Sequence, residues 1–357
     1  MKGPQRSRSS IVGRGAVGNP KNRFERIGVE LDPVEPDAEV PRPETAYLRD
    51  RSRSIIARND SPDVGFDASI NPYRGCSHGC AYCYARPTHE YLGLSAGLDF
   101  ESKVLVKEAA PELLRKELSS PRWEPKVLSM SGVTDPYQPV EKKLRLTRRC
   151  LEVLAEFRNP VVIVTKNHLV TRDVDLLSEL ARHGAAAVAV SLTTLDDDLR
   201  RVMEPRTSQP ARRLAAIKAL AEAGIPVGVM TAPIIPGLTD HELPDLLSAA
   251  ARAGATFAGF VPVRLPGAVR PLFEGWLSRH FPDRKEKVLN RIRSMRAGDL
   301  NDPRFGTRMK GEGFIAEHIA QLFEISCRRA GIEAGRFPKL STEAFRCGGG
   351  AQPALFD

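Results

Sequence analysis

The chain has 357 residues, 41% hydrophobic and 27% charged, which suits one large domain or two ordinary ones with a sizeable core. No run of about 18 apolar residues occurs, so no membrane-spanning helix is expected, and the opening MKGPQRSRSSIVGRG lacks the apolar stretch of a secretory signal. The net charge of +9 favours polyanions such as nucleic acid, and six cysteines, three of them crowded into one loop, fit reduced cytoplasmic thiols better than a disulfide framework.

Residues 1–64 read as a disordered arm, basic at first and then Pro-rich and acidic, without hydrophobic periodicity. From about residue 65 to 266 the pattern alternates. Apolar runs at 102–107, 126–131, 160–166, 186–192, 226–233 and 256–263 predict buried strands. Amphipathic stretches at 147–157, 173–184, 210–224 and 242–254 predict helices, three of them closed by Gly184, Gly224 and Gly254. Such alternation predicts parallel strands with right-handed crossovers, an α/β fold of the partial (β/α)6 TIM-barrel type. Its catalytic loops are expected at the C-terminal strand ends. Residues 267–345 read as a basic helical extension; 264–310 alone hold twelve basic residues against five acids. The last stretch, 346–357, reads as a flexible tail.

The densest chemical signal is CSHGCAYCY, which places Cys76, Cys80 and Cys83 in a Cys-x3-Cys-x2-Cys spacing. A Cys-x2-Cys pair by itself suggests zinc or a redox dithiol. Structural zinc takes four protein ligands, and here only His78 stands near enough in sequence to supply a fourth, since Cys150, Cys327 and Cys347 lie far downstream. Iron–sulfur clusters are held by thiolates, and three cysteines on a four-iron cluster leave one iron open to a ligand.

With an aromatic residue, Tyr82, directly before its third cysteine, the string resembles the cluster loop of radical S-adenosylmethionine (SAM) enzymes. The resemblance implies a [4Fe-4S] cluster on Cys76, Cys80 and Cys83, SAM bound at the open iron, and a 5′-deoxyadenosyl radical that takes hydrogen from a substrate. It also implies an external one-electron reductant of flavodoxin or ferredoxin type. NPYRGCSHGCAYCYARPTHEYLGLSAGLDF and later strings, over about residues 66–266, are similar to the branch that contains spore photoproduct lyase, a DNA-repair enzyme. In that light Thr134 and Asp135 are expected at the SAM amino group, Lys166 at its carboxylate, and Ser191 with Thr193 at its methionyl or ribose part. Residues 233–240, with Ile235, are expected against adenine, and Tyr82 and Tyr84 beside the cluster or adenine. Glu204, in MEPRTSQPARRL with Arg206, Arg212 and Arg213, suits a phosphate or the SAM ribose.

The chain departs from that branch in one respect. The lyase returns hydrogen from a cysteine a few dozen residues past the loop, and this chain has none between Cys83 and Cys150. Tyr137 or Cys327 would have to substitute. The terminal Gln352–Phe356 is similar to short peptides that dock on the bacterial sliding clamp. Nucleic acid is thus the expected substrate. A radical SAM enzyme acting on a peptide or small molecule is one alternative, and a metal-stabilised nucleic-acid-binding module without catalysis is another.

Overall fold

The computed structural model describes residues 11, 13–25, 44–335 and 337–347. Its strands are β1 (Ala46–Arg49), β2 (Ile56–Arg58), β3 (Ala68–Ile70), β4 (Tyr73–Arg74), β5 (Lys103–Val106), β6 (Leu128–Met130), β7 (Val161–Thr165), β8 (Ala186–Ser191), β9 (Val227–Ile234), β10 (Phe257–Pro262) and β11 (Glu333–Ala334). Eight of them form one sheet in the order β11-β10-β9-β8-β7-β6-β3-β2, parallel throughout except for the antiparallel β2–β3 pair. The series β3, β6, β7, β8, β9, β10 supplies the six parallel strands of the expected partial barrel. Among the described residues the sheet does not close, and β2 and β11 are its edges.

Parallel neighbours need a long crossover, and each one here carries a helix. Leu146–Phe157 joins β6 to β7, Val174–Arg182 joins β7 to β8, Pro210–Glu222 joins β8 to β9, and Leu243–Arg252 joins β9 to β10. Covering both faces of the sheet explains why β8, AAVAVS, is buried at every position. The main core runs between sheet and helices, through Met130, Ile163, Val188, Val190, Val229, Leu151, Leu180, Leu220 and Leu247.

Three expectations change. The run at 102–107 is not a strand of the barrel: β5 alternates half-buried and buried residues and pairs with β1 and β4 in a separate three-stranded sheet. A strand with one open face does not fit a position covered on both sides. The arm expected through residue 64 includes β1, β2 and a segment, 13–25, in which Arg14, Ala16 and Asn22 are buried. Residues 1–10, 12 and 26–43 lie outside the described residues. The extension does carry the helices Val269–His280, Lys285–Ser294 and Gly313–Ala330, yet it also adds β11 to the sheet edge. No described helix is long and apolar enough to cross a membrane.

Candidate functional site

The cysteine loop leaves β3 and β4 and lies over the C-terminal ends of the parallel strands. Side chains from successive strand ends meet beneath it. Lys166, just past β7, donates from Nζ to the Ala232 carbonyl of β9 at 3.2 Å and lies 5.9 Å from the Tyr82 ring centre. Thr193, past β8, donates to Glu204 Oε1 at 2.8 Å, and the Tyr82 hydroxyl donates to the same oxygen. Ile235, past β9, shares an apolar cluster with Cys80 and Tyr82.

Cys76 and Cys80 are buried at 7% and 8% exposure, whereas Cys83 is more open. All six cysteines are free. Burial, and then Glu204, raises the Cys80 thiol well above its ordinary pKa; Lys166 opposes this, and Cys83 and Cys76 add to it. Burial also raises Cys83, with Arg86 the main opposing charge. Cys83 packs against the apolar cluster that holds Cys80 and against the one that holds Cys76. Among the described residues no three His, Cys, Asp or Glu side chains meet around a single ion.

The radical SAM superfamily model matches residues 70–250, more than half of the chain. The chain belongs to the radical SAM superfamily. An uncharacterized protein of Mycobacterium tuberculosis is 42% identical over 220 residues, 61% of this chain and 65% of that protein, so the chain spans a little under two thirds of this relative. Spore photoproduct lyase of Bacillus subtilis is 25% identical over 232 residues, 60% of this chain and 62% of the lyase. A solved spore photoproduct lyase variant with bound SAM and a dinucleoside spore photoproduct shares the fold, at TM-score 0.58 and 17% identity over 82% of each chain.

The cofactors of a radical SAM enzyme are a [4Fe-4S] cluster and SAM, and the donor set fits them. Iron–sulfur clusters are held by thiolates, and three free thiols on one loop would hold three irons of a four-iron cluster and leave the fourth open to SAM.

Several expected SAM contacts are already engaged by the protein. Asp135 accepts from Tyr137 N at 2.9 Å, Thr165 Oγ1 at 2.7 Å and Lys166 N at 2.7 Å, and lies 3.4 Å from His78 Nδ1. It ties the loop after β6 to the end of β7 and to the cysteine loop. Thr134 is buried and donates to the Tyr73 carbonyl at 3.0 Å. Glu204 accepts from Tyr82 and Thr193 on one oxygen, and from Arg213 and Thr207 on the other, which fills its lone pairs. Burial pushes the Glu204 carboxyl up, but Arg213 and then Lys166 outweigh this and hold it at about 2. Ser191 is buried, and its carbonyl accepts from Arg213 Nη1 at 3.0 Å. Lys166 keeps donors to spare, because one carbonyl takes one of its three N–H bonds. Tyr84 is half exposed beside Cys83, donates to the Gly132 carbonyl at 3.1 Å and has Arg264 5.7 Å from its ring centre.

The two expected hydrogen donors are not brought to the cysteine loop. Tyr137 is fully buried in the main core, with Arg172 6.0 Å from its ring centre; burial and then Asp173 raise its hydroxyl pKa. Cys327 is buried in the helix Gly313–Ala330, which packs on Leu243–Arg252, and its charged neighbour is Glu324. Both are apolar-compatible side chains on core-facing positions, and the core takes them. Sequence reasoning also missed Gln138, whose side chain accepts from Ser77 N and donates to the Gly75 carbonyl, both at 3.1 Å, pinning the loop backbone. A lone Gln among turn residues gives no signal of such a role.

Proposed function

We propose that Cys76, Cys80 and Cys83 ligate the [4Fe-4S] cluster and that Lys166 binds SAM beneath it, in an enzyme that acts on nucleic acid. When bound, the cluster and SAM supply a 5′-deoxyadenosyl radical for hydrogen abstraction. The chain's own residues position and seal. Gln138 fixes the loop backbone on both sides of Cys76, at Gly75 and Ser77, and Asp135 fixes the start of the Lys166 turn. Glu204 holds the Tyr82 hydroxyl below the loop, and Ile235 adds an apolar wall that excludes water. Asp135, Thr134 and Glu204 act through these ties and not as direct SAM ligands; Ser191 and Ile235 remain candidates to line SAM. The observation that carries the reading is the meeting of three free thiols on one loop with a partly free lysine at the C-terminal strand ends, Lys166 lying 5.9 Å from the Tyr82 ring centre.

The nucleic-acid substrate is supported by the net charge of +9 and by the likeness to spore photoproduct lyase. Six free thiols suit a reducing, cytoplasmic setting and an external one-electron reductant such as a flavodoxin or ferredoxin. The clamp-like Gln352–Phe356 lies outside the described residues, and no docking is proposed for it.

Two measurements test the reading. The anaerobically reconstituted protein, given dithionite and SAM, is expected to release 5′-deoxyadenosine; intact SAM after repeated turnovers of reductant contradicts the chemistry. Affinity for single-stranded oligonucleotides is expected to fall steeply with salt. Salt-independent or absent binding moves the substrate to the peptide or small-molecule class.

A further inference from the structure

The segment 13–25 reaches the cysteine loop through one buried carboxylate. Glu101 and Arg86 form an ion pair in which both side chains are fully buried. Arg86 uses all five of its N–H donors: Nε and Nη2 on the Cys80 carbonyl at 3.1 and 2.8 Å, Nη1 on the carbonyls of Ala96 and Gly97 at 3.2 and 3.0 Å, and Nη2 again on Glu101. The remaining capacity of Glu101 goes to the N-terminal segment. Its carboxylate accepts from Gly15 N at 3.1 Å and Ala16 N at 2.8 Å, while its backbone carbonyl accepts from Arg14 Nη1 at 2.6 Å.

Sterics impose the same contact. A Cβ on Gly15 would sit 1.9 Å from the Gly79 carbonyl oxygen, and one on Gly79, whose φ is +71°, would sit 2.8 Å from Glu101 Oε2. Only glycines allow the two backbones this close. Farther along, Asn19 and Asp99 exchange two hydrogen bonds at 2.9 and 3.0 Å, Asn22 donates to the Glu90 and Leu94 carbonyls, and Leu98 N donates to the Gly18 carbonyl at 3.2 Å. The segment is thus zipped along residues 90–101 and ends against Gly79 and Ala81, which flank Cys80.

We propose that Glu101 is a positioning residue for the cluster, acting through Arg86 on the Cys80 backbone, and that residues 13–23 are the strap that completes its coordination and seals the back of the loop. If the strap lifts, a buried carboxylate loses two N–H donors, and its hold on Arg86 must change. Strap docking and the setting of Cys80 are therefore one event. The inference rests on the assignment of Cys80 as a cluster ligand and adds a device to it.

Hydrogen exchange on the metal-free protein tests the strap without any cluster. The Gly15 and Ala16 amides are expected to be protected, and to lose that protection in Glu101→Gln; exchange at the rate of a free chain in wild type overturns the proposal. After anaerobic loading, Gly15→Val, Arg14→Ala and Glu101→Gln are expected to bleach several-fold faster in air than wild type and to shift the electron paramagnetic resonance (EPR) spectrum of the reduced cluster. Circular dichroism separates this from unfolding, and Arg14→Ala introduces no clash if Gly15→Val does not fold. Wild-type bleaching and spectra in folded variants overturn the positioning role and leave the cluster assignment standing. A wild-type chain that takes up no cluster removes that assignment, and this inference with it.

Discussion

The cysteine loop is held from two sides by different physics. On the N-terminal side the strap is polar: backbone amides, asparagines and arginines reach buried carboxylates and carbonyls. On the C-terminal side the extension is apolar: Val269, Phe273, Trp276, Leu277, Val288 and Ile292 share one cluster with Cys80, Ala81, Tyr82 and Met203. Hydrophobic burial is strong and non-directional, whereas hydrogen bonds are individually modest and directional. The extension therefore supplies adhesion, and the strap supplies register. The loop needs both, because a cluster requires thiols at fixed positions and a site closed to water.

Breaking the apolar side is expected to have the largest effect on stability. Trp276 is fully buried, stacks on Phe273 with ring centres 5.4 Å apart and donates to the Val202 carbonyl at 2.9 Å. Trp276→Ala should cost about 3–5 kcal/mol in denaturant unfolding. Between the two sides, Glu204 should set an acid limit. Its carboxyl is held at about 2 against an ordinary 4.5, so its contribution is complete above 4.5 and is lost as pH falls from there toward 2. Glu204→Gln should flatten the decline of melting temperature over that range; an unchanged slope would show that other carboxylates dominate. The smallest effect belongs to the strap's outer end. Arg23 is 47% exposed but its partner Glu90, at 3.2 Å, is buried, so Arg23→Ala should cost about 1–2 kcal/mol, below the loss in Trp276→Ala. A larger loss would mean that the strap contributes adhesion as well as register.

The two sides also differ in how well the sequence announced them. The parallel strands were legible because a strand covered on both faces must be a continuous apolar run, as in AAVAVS and VVIVT. The three thiols were legible because groups carried on one short loop keep their spacing in sequence. Arg86 and Glu101 were not: each is a single charged residue in a polar stretch, and nothing local distinguishes a buried ion pair from two solvated side chains. The strap was hidden for a similar reason, since a segment that docks through its backbone amides needs no hydrophobic period. Asp135 shows a third case. Its place in the loop after β6 was readable, but not its four donors from three segments, the nearest in sequence two residues on and the farthest 57 residues back.

We propose that the loop cysteines, and not Cys150 or Cys327 in the helices, hold the cluster on which SAM binds. EPR of the dithionite-reduced protein, with and without SAM, tests it most directly. Wild type and Cys327→Ala should both give a [4Fe-4S] signal that changes when SAM is added, and Cys80→Ala should give none. A full, SAM-responsive signal in Cys80→Ala, or its loss in Cys327→Ala alone, would contradict the account.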